Sequence, residues 1–187
     1  MKILAAGIGN IFMGDDAFGV EVVARLMRMS WPEGVAIRDF GIRGLDLAYA
    51  LMENFDAFLM IDAVPRGEEP GTLYIIDIDP DAVHADGAAF DPHSLDPLRV
   101  LQTVKSMGGS PKRVMLLGCE PRPLTEDELN EGSMNMSEAV TASLDEAVSM
   151  AQSLITRLIA ETNDEQRTLL EDPDHYRRGG VDDHVAA

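Results

Sequence analysis

Two adjacent acids, Asp15 and Asp16, stand at the end of the segment GIGNIFMGDD, residues 7–16, between a short apolar run and an amphipathic one. A turn that leaves a strand and enters a helix is where nucleotide-binding folds hold phosphate. Gly7 and Gly9 suit that use, but the next glycine is Gly14 rather than residue 12, and no Gly-Lys-Ser/Thr follows. The charges decide against it. Two carboxylates at a helix N-terminus repel a pyrophosphate and favour a cation, the alternative being plain N-terminal capping by one of them.

Asp62 closes the apolar run AFLMI, and an acid at the carboxyl end of a buried strand lies in the crevice where open α/β sheets place ligands. Loop capping is its alternative role, and turn chemistry accounts for Asp56 and Asp77. Of the four histidines, His175 and His184 lie near the C-terminus and His84 in an aspartate-rich loop, where a solvated role is expected. His93 differs, because it sits just upstream of a helix start at Asp96-Pro97, although a lone loop histidine is more often a solvated side chain than a ligand. Together Asp16, Asp62 and His93 would make an oxygen/oxygen/nitrogen set for a divalent ion of borderline hardness. Cys119, in LLGCEP, has no basic neighbour in sequence and reads as a buried thiol, with Glu120-Pro121 at the same strand end as candidate pocket lining. Methionines are core filler by expectation, although Met134 and Met136 flank a loop where they could touch a partner.

The elements that must position these residues alternate between β-branched runs and helical periods. Strands are expected at Lys2–Ala6, Val35–Phe40, Ala57–Asp62, Thr72–Asp77 and Arg113–Gly118. Helices are expected over a stretch with Val20, Val23, Ala24 and Met27 on one face, over Leu45–Met52, from Asp96-Pro97 to Gly108-Gly109, and from Ser137 through Leu158. The segment Pro65–Gly71 is too short for a crossover helix, so Thr72–Asp77 should pair antiparallel with the strand before it. The result is a three-layer α/β domain over residues 1–160, a twisted, mostly parallel five-stranded sheet with one antiparallel strand and helices on both faces. Residues 161–187 are acid-rich and poor in apolar side chains, and are expected to form a solvated or disordered tail.

Composition narrows the partners. The 187 residues are 45% hydrophobic and carry a formal charge of −18, enough apolar material for a core and the wrong sign for nucleic acid or an anionic membrane. No apolar run approaches a membrane span, and the N-terminus reads as a strand rather than a signal peptide. A single cysteine excludes an internal disulfide and suits the cytoplasm.

The segments GIGNIFMGDDAFG at 7–19, DFGIRGLDL at 39–47, IDAV at 61–64, GTLY at 71–74, His93 and the GCEP turn resemble, in order and spacing, the hydrogenase maturation proteases. The resemblance spans roughly residues 3–158. It implies an endopeptidase that trims the C-terminal extension from the large-subunit precursor of a nickel–iron hydrogenase once nickel is inserted. It also implies that the nickel travels with the precursor, with no tightly bound metal in the enzyme itself. The family's metal-contacting and catalytic positions fall on Asp16, Asp62 and His93, the first of which is a glutamate in some relatives. Its glycine-rich turn falls on Asp39, Gly41 and Gly44, where this chain departs by carrying Phe40 for a glycine and Ile42 for a threonine. Two other classes compete: a non-catalytic nickel carrier using the same three residues, and a dinucleotide-binding domain using Gly7, Gly9 and Asp39. The first should retain metal alone; the second is opposed by the Asp15–Asp16 pair.

Overall fold

The computed structural model describes residues 2–53, 55–80, 97–109 and 113–171. Five strands form one sheet in the order β2-β1-β3-β5-β4. Three of them, β1 (Ile3–Ile8), β3 (Ala57–Ala63) and β5 (Val114–Cys119), are buried almost end to end. Such runs are apolar on both faces because helices cover both sides of a parallel sheet. The edge strands β2 (Val35–Gly41) and β4 (Leu73–Ile78) alternate with more polar residues.

Side-chain alternation divides the core in two. Ile3, Ala5, Leu59, Ile61, Leu117 and Cys119 face α1 (Phe18–Leu26) and the long α5 (Glu138–Glu171). Leu4, Ala6, Ile8, Phe58, Met60 and Leu116 face α2 (Gly44–Leu51) and α3 (Pro97–Ser106). The chain thus leaves β1 toward one face and β2 toward the other, and β1 lies beside β3. The crevice beyond the carboxyl ends of β1 and β3 is therefore the topological switch point, the place where open α/β sheets bind ligands.

Three local expectations differ from the structure. The strand after Pro65–Gly71 is antiparallel as expected, but it pairs with β5 rather than β3. β3 already has β1 and β5 as neighbours, so the half-exposed β4 takes the free edge. The buried stripe of α1 is Phe18, Gly19, Val22, Val23 and Leu26, with Met27 left 57% exposed. Rotation of α1 is set by Gly19, where a Cβ would come 2.0 Å from the Ile61 carbonyl oxygen and 2.3 Å from that of Ile8. Lastly, α5 continues past Leu158 to Glu171, with Thr162 buried and its hydroxyl bonded to the Leu158 carbonyl. The remainder of the segment expected as a tail, residues 172–187, lies outside the described residues.

Because backbone atoms are the obstruction, Gly19→Ala has no soft neighbour to displace. It should cost roughly 1–3 kcal/mol, and thermal unfolding of the variant should show a clearly lowered midpoint.

Candidate functional site

The turn after β1 folds tightly on itself. Gly9 has φ +131°, and a Cβ there would fall 1.7 Å from the Asp16 carbonyl oxygen, so only glycine permits the closure. Its amide donates to the Gly41 carbonyl at 3.1 Å, tying this turn to the one after β2. A short 3-10 turn, Gly14–Ala17, then carries both acids and packs on β3 at the switch point.

The two acids have different fates. Asp15 is buried, its carboxylate accepting bonds from the Arg122 amide at 2.7 Å, the Ser137 amide at 2.5 Å and the Ser137 hydroxyl at 2.9 Å. It is a latch between the first turn and the segment 122–137, not half of a cation site. Consecutive residues of a 3-10 turn point about a third of a turn apart, so neighbouring acids cannot share one target. Asp16 is half-buried, with one oxygen accepting the Asn10 amide at 2.7 Å. Burial pushes its pKa up, against the lowering effect of that hydrogen bond.

Asp62 is 5% exposed and ends β3 on the face of α2 and α3, opposite Gly118 in the register with β5. Tyr74 of β4 lies across Gly118, filling the space a side chain would take. Its hydroxyl donates to the Val64 carbonyl, and its pKa is pushed up to about 12, first by burial and then by Glu120, Cys119 and Asp62. The tyrosine is thus neutral at every physiological pH and fixes the backbone just past Asp62. His93 lies outside the described residues, as does His84. Just after α3, Gly109 lies against Met52 at the end of α2. Among the described residues, no three His, Cys, Asp or Glu side chains cluster to hold a metal ion.

Between the 3-10 turn and the segment after β5 is a cleft of about 520 Å³, lined by Met13, Asp15, Asp16, Ala63, Pro65, Glu120, Pro121, Arg122, Pro123, Leu124 and Leu129. Glu120 is 4% exposed and accepts the Arg66 and Gly67 amides at 2.7 and 3.1 Å, which holds the β3–β4 connection. Burial alone would raise its pKa, but these backbone donors, joined by Glu68, outweigh it and keep the carboxyl below its ordinary value. The outer wall is α4 (Glu126–Glu131), closed by a Thr125–Glu128 capping box and by Arg122 forking onto Glu128 at 2.6 and 3.1 Å. Cys119 is fully buried beside Ser143, and burial raises its thiol pKa, as an inert core cysteine requires. At the departed turn, Phe40 occupies a β-bulge opposite β1 and is buried against α2, while Ile42 is 59% exposed.

Sequence reasoning placed Asp62 at the carboxyl end of a buried strand and Glu120-Pro121 at a pocket, where the structure has them, but gave Asp15 the wrong task. The available signal was Ser137: an N-cap hydroxyl whose own amide also needs an acceptor.

A mixed five-stranded sheet with helices on both faces and acids at its switch point defines an α/β domain with a candidate ligand crevice, and its similarity to known proteins makes the class specific. The family model described as hydrogenase maturation protease matches residues 20–154, a span that includes Asp62 and begins just after Asp16. A putative hydrogenase maturation protease of Methanocaldococcus jannaschii is 33% identical over 150 residues, covering 78% of this chain and 91% of that protein. The hydrogenase maturating endopeptidase HybD of Escherichia coli superposes with a TM-score of 0.68 at 28% identity, covering 84% of this chain and 93% of that one. The hydrogenase 2 maturation peptidase of Thaumarchaeota archaeon SCGC_AB-539-E09 gives a TM-score of 0.61 at 32% identity, covering 83% and 99%. The chain belongs to the hydrogenase maturation protease family.

Two outcomes follow for the acids. Asp15→Ala strands buried backbone donors of two segments and should cost about 1–3 kcal/mol, read as a drop in denaturation midpoint. Asp16 behaves oppositely. Its folded pKa lies above the ordinary 3.8, so its contribution to stability is fullest below that value and is lost as pH rises through the folded pKa. Asp16→Asn, which keeps an acceptor for the Asn10 amide, should therefore melt no lower than wild type at neutral pH, and that relative advantage should disappear below the ordinary carboxylate pKa. A variant that melts well below wild type at neutral pH would contradict the burial of this charge.

Proposed function

We propose that this protein is an endopeptidase that removes the C-terminal extension of a nickel-loaded hydrogenase large-subunit precursor. The observation that carries the reading is the placement of Asp16, on the 3-10 turn that follows β1, and of Asp62, near the end of β3, at the switch point between those strands, with a cleft wide enough for a peptide side chain beside Asp16. In this reading nickel arrives as part of the substrate, held by the precursor, and meets Asp16, Asp62 and His93 as its contacts on the enzyme. Two carboxylates and one imidazole leave coordination positions open for ligands from the precursor, unlike a closed structural site. Such a set holds free metal weakly, so the isolated enzyme is expected to keep none through chelation, whereas a nickel carrier would retain it.

The chain's own residues supply the rest. Asp16, with its proton affinity raised by burial, is suited to take a proton from an attacking water. Tyr74 and Glu120 hold the backbone that follows Asp62, at Val64 and at Arg66 and Gly67, so that this side of the cleft need not reorganise during the reaction. We place the reaction in the cytoplasm, where the one thiol stays reduced.

The test is to mix the protein with nickel-loaded and nickel-free precursor and to follow the released C-terminal peptide by mass spectrometry. Release is expected from the loaded form alone. Asp16→Asn, Asp62→Asn and His93→Ala should each lower the rate by about a hundredfold or more while leaving the far-UV spectrum unchanged. Full activity in any two of the three would sink the assignment.

A further inference from the structure

The rim of the cleft presents large apolar side chains that the protein's own core does not use. Ile11, Phe12, Leu129 and Met134 are 44%, 57%, 58% and 73% exposed. They stand on two segments stitched together backbone to backbone, with the Ser133 amide donating to Phe12 at 2.8 Å and the Gly14 amide to Ser133 at 2.6 Å. Helix α4 buries none of its residues and is held by its capping box and the Arg122–Glu128 fork. Leu129 is therefore not there to complete the fold. It lines the same cleft as Asp16, so through Leu129 the apolar rim adjoins the candidate site. Its fringe is acidic: Glu126, Asp127 and Glu131 are exposed on α4, and the nearby cation Arg122 is engaged by Glu128.

We propose that this rim is the docking surface for the folded body of the precursor, which would offer an apolar patch flanked by basic side chains. The proposal rests on the reading that Asp16 and Asp62 receive the precursor's reacting end, because the rim adjoins them. Charge selects this occupant over a second copy of the chain. A two-fold self-contact centred on α4 would set the α4 acids of one copy against the same acids of the other. A contiguous apolar patch held out by rigid backbone, on a chain of net charge −18, instead suits a partner with an apolar centre and positive edge.

The experiment uses the full chain and the nickel-loaded precursor. In the double variant Phe12→Ser/Met134→Ser, KM should rise about tenfold or more with kcat within twofold and an unchanged melting midpoint. Met27→Ser, equally exposed at the opposite end of α1, should change neither constant. Direct binding of the precursor, measured without cleavage, should weaken by the same factor, and Glu126→Lys/Asp127→Lys should weaken it further and reduce its salt dependence. An unchanged KM and Kd in the Phe12/Met134 variant would overturn the proposal, as would a fall in kcat alone. A wild-type dimer that this variant dissociates would show the rim to be a self-interface and overturn it equally. Failure of the wild-type protein to cut loaded precursor would count against the catalytic reading, and the binding arm would still decide the rim.

Discussion

Contact between the start of α1 and the carboxyl ends of β1 and β3 is the constraint on which the rest of the molecule depends. Gly19 presses against the carbonyl oxygens of Ile8 and Ile61, and Gly7 lies beneath Gly19 and Val23. At such distances there is room for backbone and hydrogen only. The approach sets the rotation of α1, and so determines that Phe18, Val22, Val23 and Leu26 fill the core facing α5. It also draws the preceding 3-10 turn over the switch point. Asp16 thereby comes to stand beside the strand that ends in Asp62.

Two buried carboxylates then convert loops into walls. Asp15 satisfies the amides of Arg122 and Ser137, and Glu120 those of Arg66 and Gly67. Each stands where irregular backbone would otherwise bury its N–H groups without acceptors, a cost comparable to a lost hydrogen bond for every group. The cleft is mostly apolar although Asp15 and Glu120 help to line it, because their carboxylates are turned toward amides. Among the described residues Asp16 accepts one backbone amide, that of Asn10, and burial raises its pKa against that bond. At the departed glycine-rich turn, Phe40 enters the core through a bulge, and Ile42 is left on the surface.

Much of this was legible in the chain. Continuous apolar runs marked β1, β3 and β5 because both faces of a central parallel strand are covered, and local pattern records that directly. Asp62 was legible for the same reason, as the first polar residue after such a run. The spacing of Gly7, Gly9 and Gly19 and the ordered motifs through the GCEP turn carried the family. By itself the sequence determined the fold class, the family and the two acids at the carboxyl edge. Only the tertiary structure decided that Asp15 faces inward while Asp16 faces the cleft, that β4 adds to β5, and which stripe of α1 is buried. Each of those depends on partners more than thirty residues away or on a backbone contact with no side chain to announce it. Periodicity reports what a residue's own segment buries, and long-range hydrogen bonds to amides leave no trace in it.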